Sequence, residues 1–186
     1  VFLGSAIALS SPLVFAEQIN SHQSFVGYTG LINTPNAEVQ EKGVIGFGHN
    51  NELFDRSNQY VKGHNFIVSA GLFDGLEVSG LIASNTMHDN LYVGEGKKQI
   101  RDLSFNAKYQ IPYIPKDWFN LAIGGKDIGG HINFYETYYA VASKELWNFR
   151  FSAGISKSKR PHGEMDGVFG GIEYQVFDWF SLQAEH

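Results

Sequence analysis

The sequence predicts an all-β protein, an antiparallel up-and-down meander of about nine strands. Its composition disfavours a helix bundle, because Gly (21 of 186 residues) and aromatic residues (15%) are abundant and both form helices poorly. After residue 16 no 3.6-residue apolar period is sustained, whereas apolar and polar residues alternate repeatedly. The connections between these runs alternate between short and long, which is typical of successive hairpins.

The clearest alternation covers residues 103–111, where Leu, Phe, Ala, Tyr and Ile share one face. Residues 149–155 repeat it, and further apolar faces are Phe66/Val68/Ala70/Leu72, Leu76/Val78/Gly80/Ile82, Phe119/Leu121/Ile123, Val168/Gly170/Ile172/Tyr174 and Phe180/Leu182/Ala184. Residues 44–49 and 135–143 also read as strands, without a clear apolar face. The strands are roughly 7 to 11 residues long, close to the 9–11 of a tilted membrane strand.

The short turns place an aromatic residue beside Asp or Asn, at 73–75, 116–118, 147–148 and 177–179. Long polar connections lie between them, at 51–63, 87–101, 127–134 and 157–166. In a meander all short turns then lie at one end of the sheet and all long loops at the other. Aromatic residues at the short-turn end match an interfacial girdle, and short periplasmic turns with long external loops are the outer-membrane arrangement.

The charges are confined to one side of the predicted strands. The seven apolar faces contain no Asp, Glu, Lys or Arg, as lipid contact requires, because Arg or Lys at the bilayer midplane costs about 2–4 kcal/mol. The opposite faces carry the charged residues Glu77, Lys108, Arg150, Glu173 and Glu185. The pattern favours part of an outer-membrane β-barrel with these five side chains facing the lumen. A soluble exported β-sandwich also alternates and stays open as an alternative.

Residues 1–16 are uncharged and end in a small-residue motif before Glu17, which predicts a truncated, cleaved secretory signal. The last residues, 182–186, stop within a strand-like alternation. We therefore expect three parts: the signal (1–16), a lead segment (17–42) and an incomplete barrel domain (43–186). Residues 30–37 of the lead segment are expected either to enter the lumen as a plug or to cap the barrel end.

Several function classes are disfavoured. A net charge of −5 and a pI near 5.8 argue against a nucleic-acid partner, and zero Cys excludes disulfides and thiol chemistry. The seven His residues lack metal-ligand spacing, and no nucleophile elbow or P-loop is present. We expect no metal, no cofactor and no enzymatic activity.

Five short motifs, in this order along the chain, resemble the YjbH/GfcD-like family of Gram-negative bacteria, which is encoded with exopolysaccharide and capsule genes. They are Gly30–Pro35 (GLINTP), Leu72–Val78 (LFDGLEV), Asp127–Gly130 (DIGG), Val141–Lys144 (VASK) and Gly170–Tyr174 (GGIEY). The resemblance implies an outer-membrane β-barrel that assists polysaccharide export, with lipid, exopolysaccharide and other export proteins as partners.

One basic cluster lies on a long connection and includes Lys157, Lys159 and Arg160. It is interpreted either as a contact for anionic lipopolysaccharide or acidic glycan or as a solvated loop. At the level of function, two alternatives to polysaccharide export also remain. One is a general diffusion porin or structural barrel without a glycan partner, and the other is the soluble β-sandwich acting as a binding module.

Overall fold

A computed structural model describes residues 19–50, 64–84, 101–115, 117–129, 135–159 and 165–186. These residues form one antiparallel sheet of nine strands whose spatial order is the order of the sequence. The strands are β1 Ile45–Asn50, β2 His64–Phe73, β3 Leu76–Ser84, β4 Arg101–Gln110, β5 Asn120–Lys126, β6 Thr137–Leu146, β7 Phe149–Ser158, β8 Gly167–Phe177 and β9 Phe180–Glu185. The predicted all-β meander is confirmed.

The register keeps the two faces of the sheet separate. Glu77 lies opposite Lys108 and Arg150 lies opposite Glu173, so the charged positions of neighbouring strands meet on one face, here called the polar face. The other face, here called the apolar face, is exposed, and the Phe105 side chain on it is 51% exposed. Ladder pairing also settles the two ambiguous strands, because Phe47 of β1 pairs with Val68 on the apolar face. In β6 the residues facing the polar side include Tyr139, Val141 and Ser143.

Three of the four predicted short turns are tight two-residue turns, at 74–75, 147–148 and 178–179. The fourth is longer than predicted, since residues 111–119 separate β4 from β5. Pro112 and Pro115 explain the difference, because proline has no N–H to donate to a ladder and ends the strand before the turn. Most of the long connections, the signal and Lys116 lie outside the described residues.

The lead segment crosses the polar face. Its described part, residues 19–42, begins beside the β8–β9 turn, where the Asn20 side-chain amide donates to the Asp178 carbonyl at 2.7 Å. It reaches the far end of β1, where Asn50 donates to the Phe25 carbonyl at 3.0 Å. It returns to the short-turn end, where Gly43 N–H donates to the carbonyl of Gly71 in β2. Both ends of the segment therefore lie at the same end of the sheet.

A small apolar cluster lies between the lead segment and the sheet: Ala37, Ala122, Tyr139, Val141, Met165 and Phe169. Two aromatic rings in it lie over glycines of the neighbouring strand. Tyr139 covers Gly124 and Phe169 covers Gly154. A Cβ at either glycine would overlap the ring, so only glycine allows the rings to lie this close to the sheet.

Candidate functional site

The five charged residues predicted to face the lumen all lie on the polar face, where the lead segment covers them. Glu77, Lys108, Arg150 and Glu173 are fully buried, with Arg150 at 0% exposure, and Glu185 is half-buried. Charged side chains are almost never fully buried unless they are paired. Each of the five is accordingly engaged by the lead segment, by a neighbouring strand or by both.

The first cluster joins β3 and β4. Glu77 and Lys108 form an ion pair of 3.7 Å. The Glu77 carboxylate also accepts hydrogen bonds from the Thr29 N–H, from the Thr29 hydroxyl at 2.6 Å and from the Gln40 N–H at 2.9 Å. Lys108 donates to the Thr29 carbonyl. Thr29 thus donates to the carboxylate of Glu77 and accepts from the ammonium group of Lys108.

The second cluster joins β6, β7 and β8. Arg150 pairs with Glu145 at 2.6 Å and with Glu173 at 3.3 Å. Its remaining donors reach the lead segment, with 2.7 Å to the Ile19 carbonyl. Glu173 also accepts a hydrogen bond from the Asn36 side-chain amide at 3.0 Å. The planar fork of arginine thereby links three strands to the segment.

Glu185 of β9 makes the third attachment. Its carboxylate accepts hydrogen bonds of 3.0 Å from the backbone N–H groups of Asn33 and Thr34 and from the Thr34 hydroxyl. Hydrogen bonds that involve a charged partner contribute about 1.5–3 kcal/mol each. Carboxylates on β3, β8 and β9 therefore fix the segment along its length.

Uncharged polar residues complete the attachment, and the sequence did not predict that they bind the lead segment. Asn106 donates to the Val26 carbonyl at 2.8 Å. The Ser143 hydroxyl accepts from the Ala37 N–H at 2.9 Å, and Gln110 donates to the Ala37 carbonyl at 3.0 Å. Their position in the alternation predicts that they lie on the polar face, but it does not predict which residues they bind.

The polar face carries more carboxylates than cations among the residues that the structure describes. Among the side chains that the structure describes on this face, the acidic ones are Glu77, Asp127, Glu145, Glu173 and Glu185, and the basic ones are Lys108, Lys126 and Arg150. Lys108 and Arg150 already form ion pairs with carboxylates. The face is therefore acidic once these pairs are taken into account.

The basic cluster lies away from this face, at the long-loop end. Lys157 pairs with Asp166 at 3.4 Å and Lys159 pairs with Glu136 at 2.8 Å. The hydrogen bond to Glu136 and its negative charge raise the pKa of Lys159. Arg160 lies outside the described residues. Both described lysines thus have carboxylate partners, which lowers their capacity to bind an additional anion.

Across the described ranges, no His, Asp and Glu side chains are grouped so as to hold a metal ion. In the same ranges, no helix is long and apolar enough to cross a membrane.

Residues 22–166, most of the chain, match the sequence family YjbH, described as "Exopolysaccharide biosynthesis protein YbjH". The matched range includes most of the lead segment, β1 to β7 and the two charged residues of the first cluster. No curated protein and no solved structure is significantly similar to the chain.

Proposed function

Because the chain belongs to the YjbH exopolysaccharide biosynthesis family, we propose that it forms part of an outer-membrane β-barrel that assists secretion or assembly of an exopolysaccharide or capsule. The family relates the chain to exopolysaccharide. The proposal adds that the protein forms a β-barrel, that it lies in the outer membrane and that its role involves no catalysis. It also includes export by a cleaved signal peptide in a Gram-negative bacterium.

The observation that carries the proposal is the inverted polarity of the sheet. Its buried face holds Glu77, Lys108, Arg150 and Glu173, whereas Ile155 on the other face is 62% exposed. In a soluble protein the apolar face would be buried and the charged face exposed, because apolar side chains leave water and charged ones remain in it. A sheet in lipid has the observed polarity, with an apolar exterior and a polar interior.

The length of the strands and the ends of the apolar face support the same proposal. Five strands have 10 or 11 residues, the length that a tilted strand needs to cross a bilayer. On the apolar face of β6 and β7 the only charged residues are Lys144, near the short-turn end, and Lys157, near the long-loop end. Exposed Trp118, Trp147 and Trp179 lie at the short-turn end, where an interfacial belt belongs.

The lead segment and the single sheet favour this proposal over the two alternatives. A diffusion porin needs an open polar interior, whereas residues 19–42 cover the polar face from β2 to β9. A soluble sandwich needs a second sheet over the apolar face, whereas the described residues form one sheet.

The test uses the full gene product that contains this chain, expressed with its signal. Outer-membrane fractions are run on gels before and after boiling, because a closed barrel resists detergent until it is heated. We expect a membrane-bound band whose mobility changes on boiling, and loss of surface polysaccharide when the gene is deleted. A soluble periplasmic product, or unchanged polysaccharide after deletion, would refute the proposal.

A further inference from the structure

We infer that the polar face beneath the lead segment binds a neutral or amino-bearing glycan, and that residues 19–42 occupy this face until the glycan displaces them. The inference rests on the proposed function, which brings a polysaccharide to this protein. It adds the chemical class of that polysaccharide and assigns the lead segment as its competitor.

The first argument is the chemistry of the contacts that hold the segment. Glu77 and Glu185 each accept a threonine hydroxyl and backbone N–H groups, from Thr29, Gln40, Asn33 and Thr34. A sugar chain offers the same donors, in its ring hydroxyls and in its N-acetyl or amino groups. Replacing one hydrogen bond by another changes the free energy little, whereas leaving a buried acceptor without a partner is costly. A glycan can therefore replace the segment contact by contact.

The second argument is a hydroxyl on the same face whose hydrogen-bonding capacity is unused. Tyr139 is buried between the segment and β5, and its hydroxyl has no hydrogen-bond partner within the described residues. Its ring lies 5.8 Å from that of Tyr28 in the segment and 6.4 Å from that of Phe169. Buried tyrosines usually pair their hydroxyl. Once Tyr28 leaves, Tyr139 offers a sugar both a ring surface and a hydrogen-bonding group.

The third argument is charge, and it selects the class of glycan. The cations Lys108 and Arg150 are held in ion pairs by residues of the sheet itself. All the hydrogen bonds described for the Glu185 carboxylate come from Asn33 and Thr34, so departure of the segment frees this charge. The uncovered face is therefore acidic, which attracts amino sugars, accepts neutral ones and repels uronic acids.

The fourth argument is that the segment can leave without threading. Its contacts with Asp178 and with Gly71 both lie at the short-turn end. The loop between these points can swing out through that end while both anchors remain in place. Local opening of this kind needs only the contacts of the loop to break, and the ladder of the sheet stays intact.

The experiment measures hydrogen exchange by mass spectrometry on the wild-type gene product in detergent micelles. The backbone N–H groups of Thr29, Asn33, Thr34, Ala37 and Gln40 donate to side chains of the sheet, so their exchange reports departure of the segment. The probes are maltohexaose (neutral), a chitosan hexamer (amino-bearing) and hexagalacturonate (acidic). Peptides from the β6–β7 hairpin, residues 137–158, serve as the internal control.

We expect maltohexaose and the chitosan hexamer to accelerate exchange in residues 26–40 by about tenfold or more, saturably, with the chitosan hexamer effective at lower concentration. Hexagalacturonate should leave the rate unchanged, as should every probe in the control hairpin. In Glu185→Gln the advantage of chitosan over maltohexaose should shrink.

Two results would overturn the inference: acceleration by hexagalacturonate equal to that by the other probes, or no acceleration by any of them. The same preparation is tested for heat modifiability. If it shifts on boiling and yet gives either result, the inference fails while the proposed function stands. A preparation that behaves as a soluble protein counts against the proposed function instead.

Discussion

Replacing Phe105 by arginine distinguishes lipid from water on the apolar face. Phe105 is the fifth residue of the ten-residue strand β4, so it lies near the middle of any bilayer that the strand crosses. Its side chain points away from the lead segment and is 51% exposed, with Gly80 opposite it on β3. In water, arginine at such a half-exposed site is tolerated, and surface substitutions usually stay within about 0.5 kcal/mol.

In lipid the expected cost is much larger. Arginine at the midplane of a membrane barrel costs about 2–4 kcal/mol. At about 1.4 kcal/mol per factor of ten, Phe105→Arg should reduce the folding equilibrium constant in bilayers by roughly 30- to 700-fold. Phe105→Leu removes the ring without introducing a charge and should cost less than about 1.5 kcal/mol. A larger loss in Phe105→Arg is therefore assigned to the charge.

The assay follows folding of the full gene product into phospholipid vesicles across a urea series, read from the heat-dependent gel shift. The matched control is Tyr113→Arg, because Tyr113 is an aromatic residue that is 90% exposed in the connection outside the strands. We expect the control to fold like the wild type. If Phe105→Arg and Tyr113→Arg both stay within about 0.5 kcal/mol of the wild type, lipid does not contact the apolar face and the reasoning fails.

Three further predictions concern the polar face and the turns. Arg150→Met leaves the buried carboxylate of Glu173 and the partly exposed one of Glu145 without their cation and should destabilise the protein by about 3–5 kcal/mol, seen as a lower urea midpoint. Gly124→Ala places a Cβ where the Tyr139 ring lies and should cost about 1–3 kcal/mol in the same assay. Trp147 has a left-handed φ of 54°, so Trp147→Asn should relieve roughly 1 kcal/mol of strain in detergent and weaken retention in vesicles.

Each of these has its own control. Arg150→Lys keeps the charge and should recover part of the lost stability. Equal losses of stability for Met and Lys would mean that the hydrogen-bond geometry of the guanidinium group matters and its charge does not. Gly80→Ala meets Phe105 only at ordinary contact distance, and a cost equal to that of Gly124→Ala would remove the role given to the Tyr139 ring. Retention of Trp147→Asn in vesicles as strong as the wild type would show that this tryptophan is not an interfacial anchor.

The alternation of apolar and polar residues was sufficient to predict the sheet. Period two fixes which side chains share a face, and the tight turns fix the order of the strands, so nine strands and their faces follow from local sequence. Residues 111–119 show the limit of this reasoning. The aromatic-acidic motif there predicted a short turn, but Pro112 and Pro115 end the ladder early.

The partners of the charged residues could not be predicted in the same way. Alternation placed Glu77 and Glu185 on the polar side but left open whether water, a ligand or the chain itself meets them. Their partners Thr29 and Thr34 lie 48 and 151 residues away in sequence. The same limit applies to Asn106, for which alternation predicts tolerance to arginine, whereas it is 3% exposed beneath Val26.

The path of the lead segment also sets a constraint on the order of folding. Thr34 of the segment, which precedes β1, contacts Glu185 of β9 across 151 residues. Closing so long a loop is slow and entropically costly until the intervening hairpins have formed. Each hairpin can form from neighbouring strands alone, whereas the segment acquires its full set of partners only after β9 is in place. Residues 19–42 are synthesised before the strands that they contact and are therefore fixed after them, and during assembly they remain accessible to chaperones and proteases.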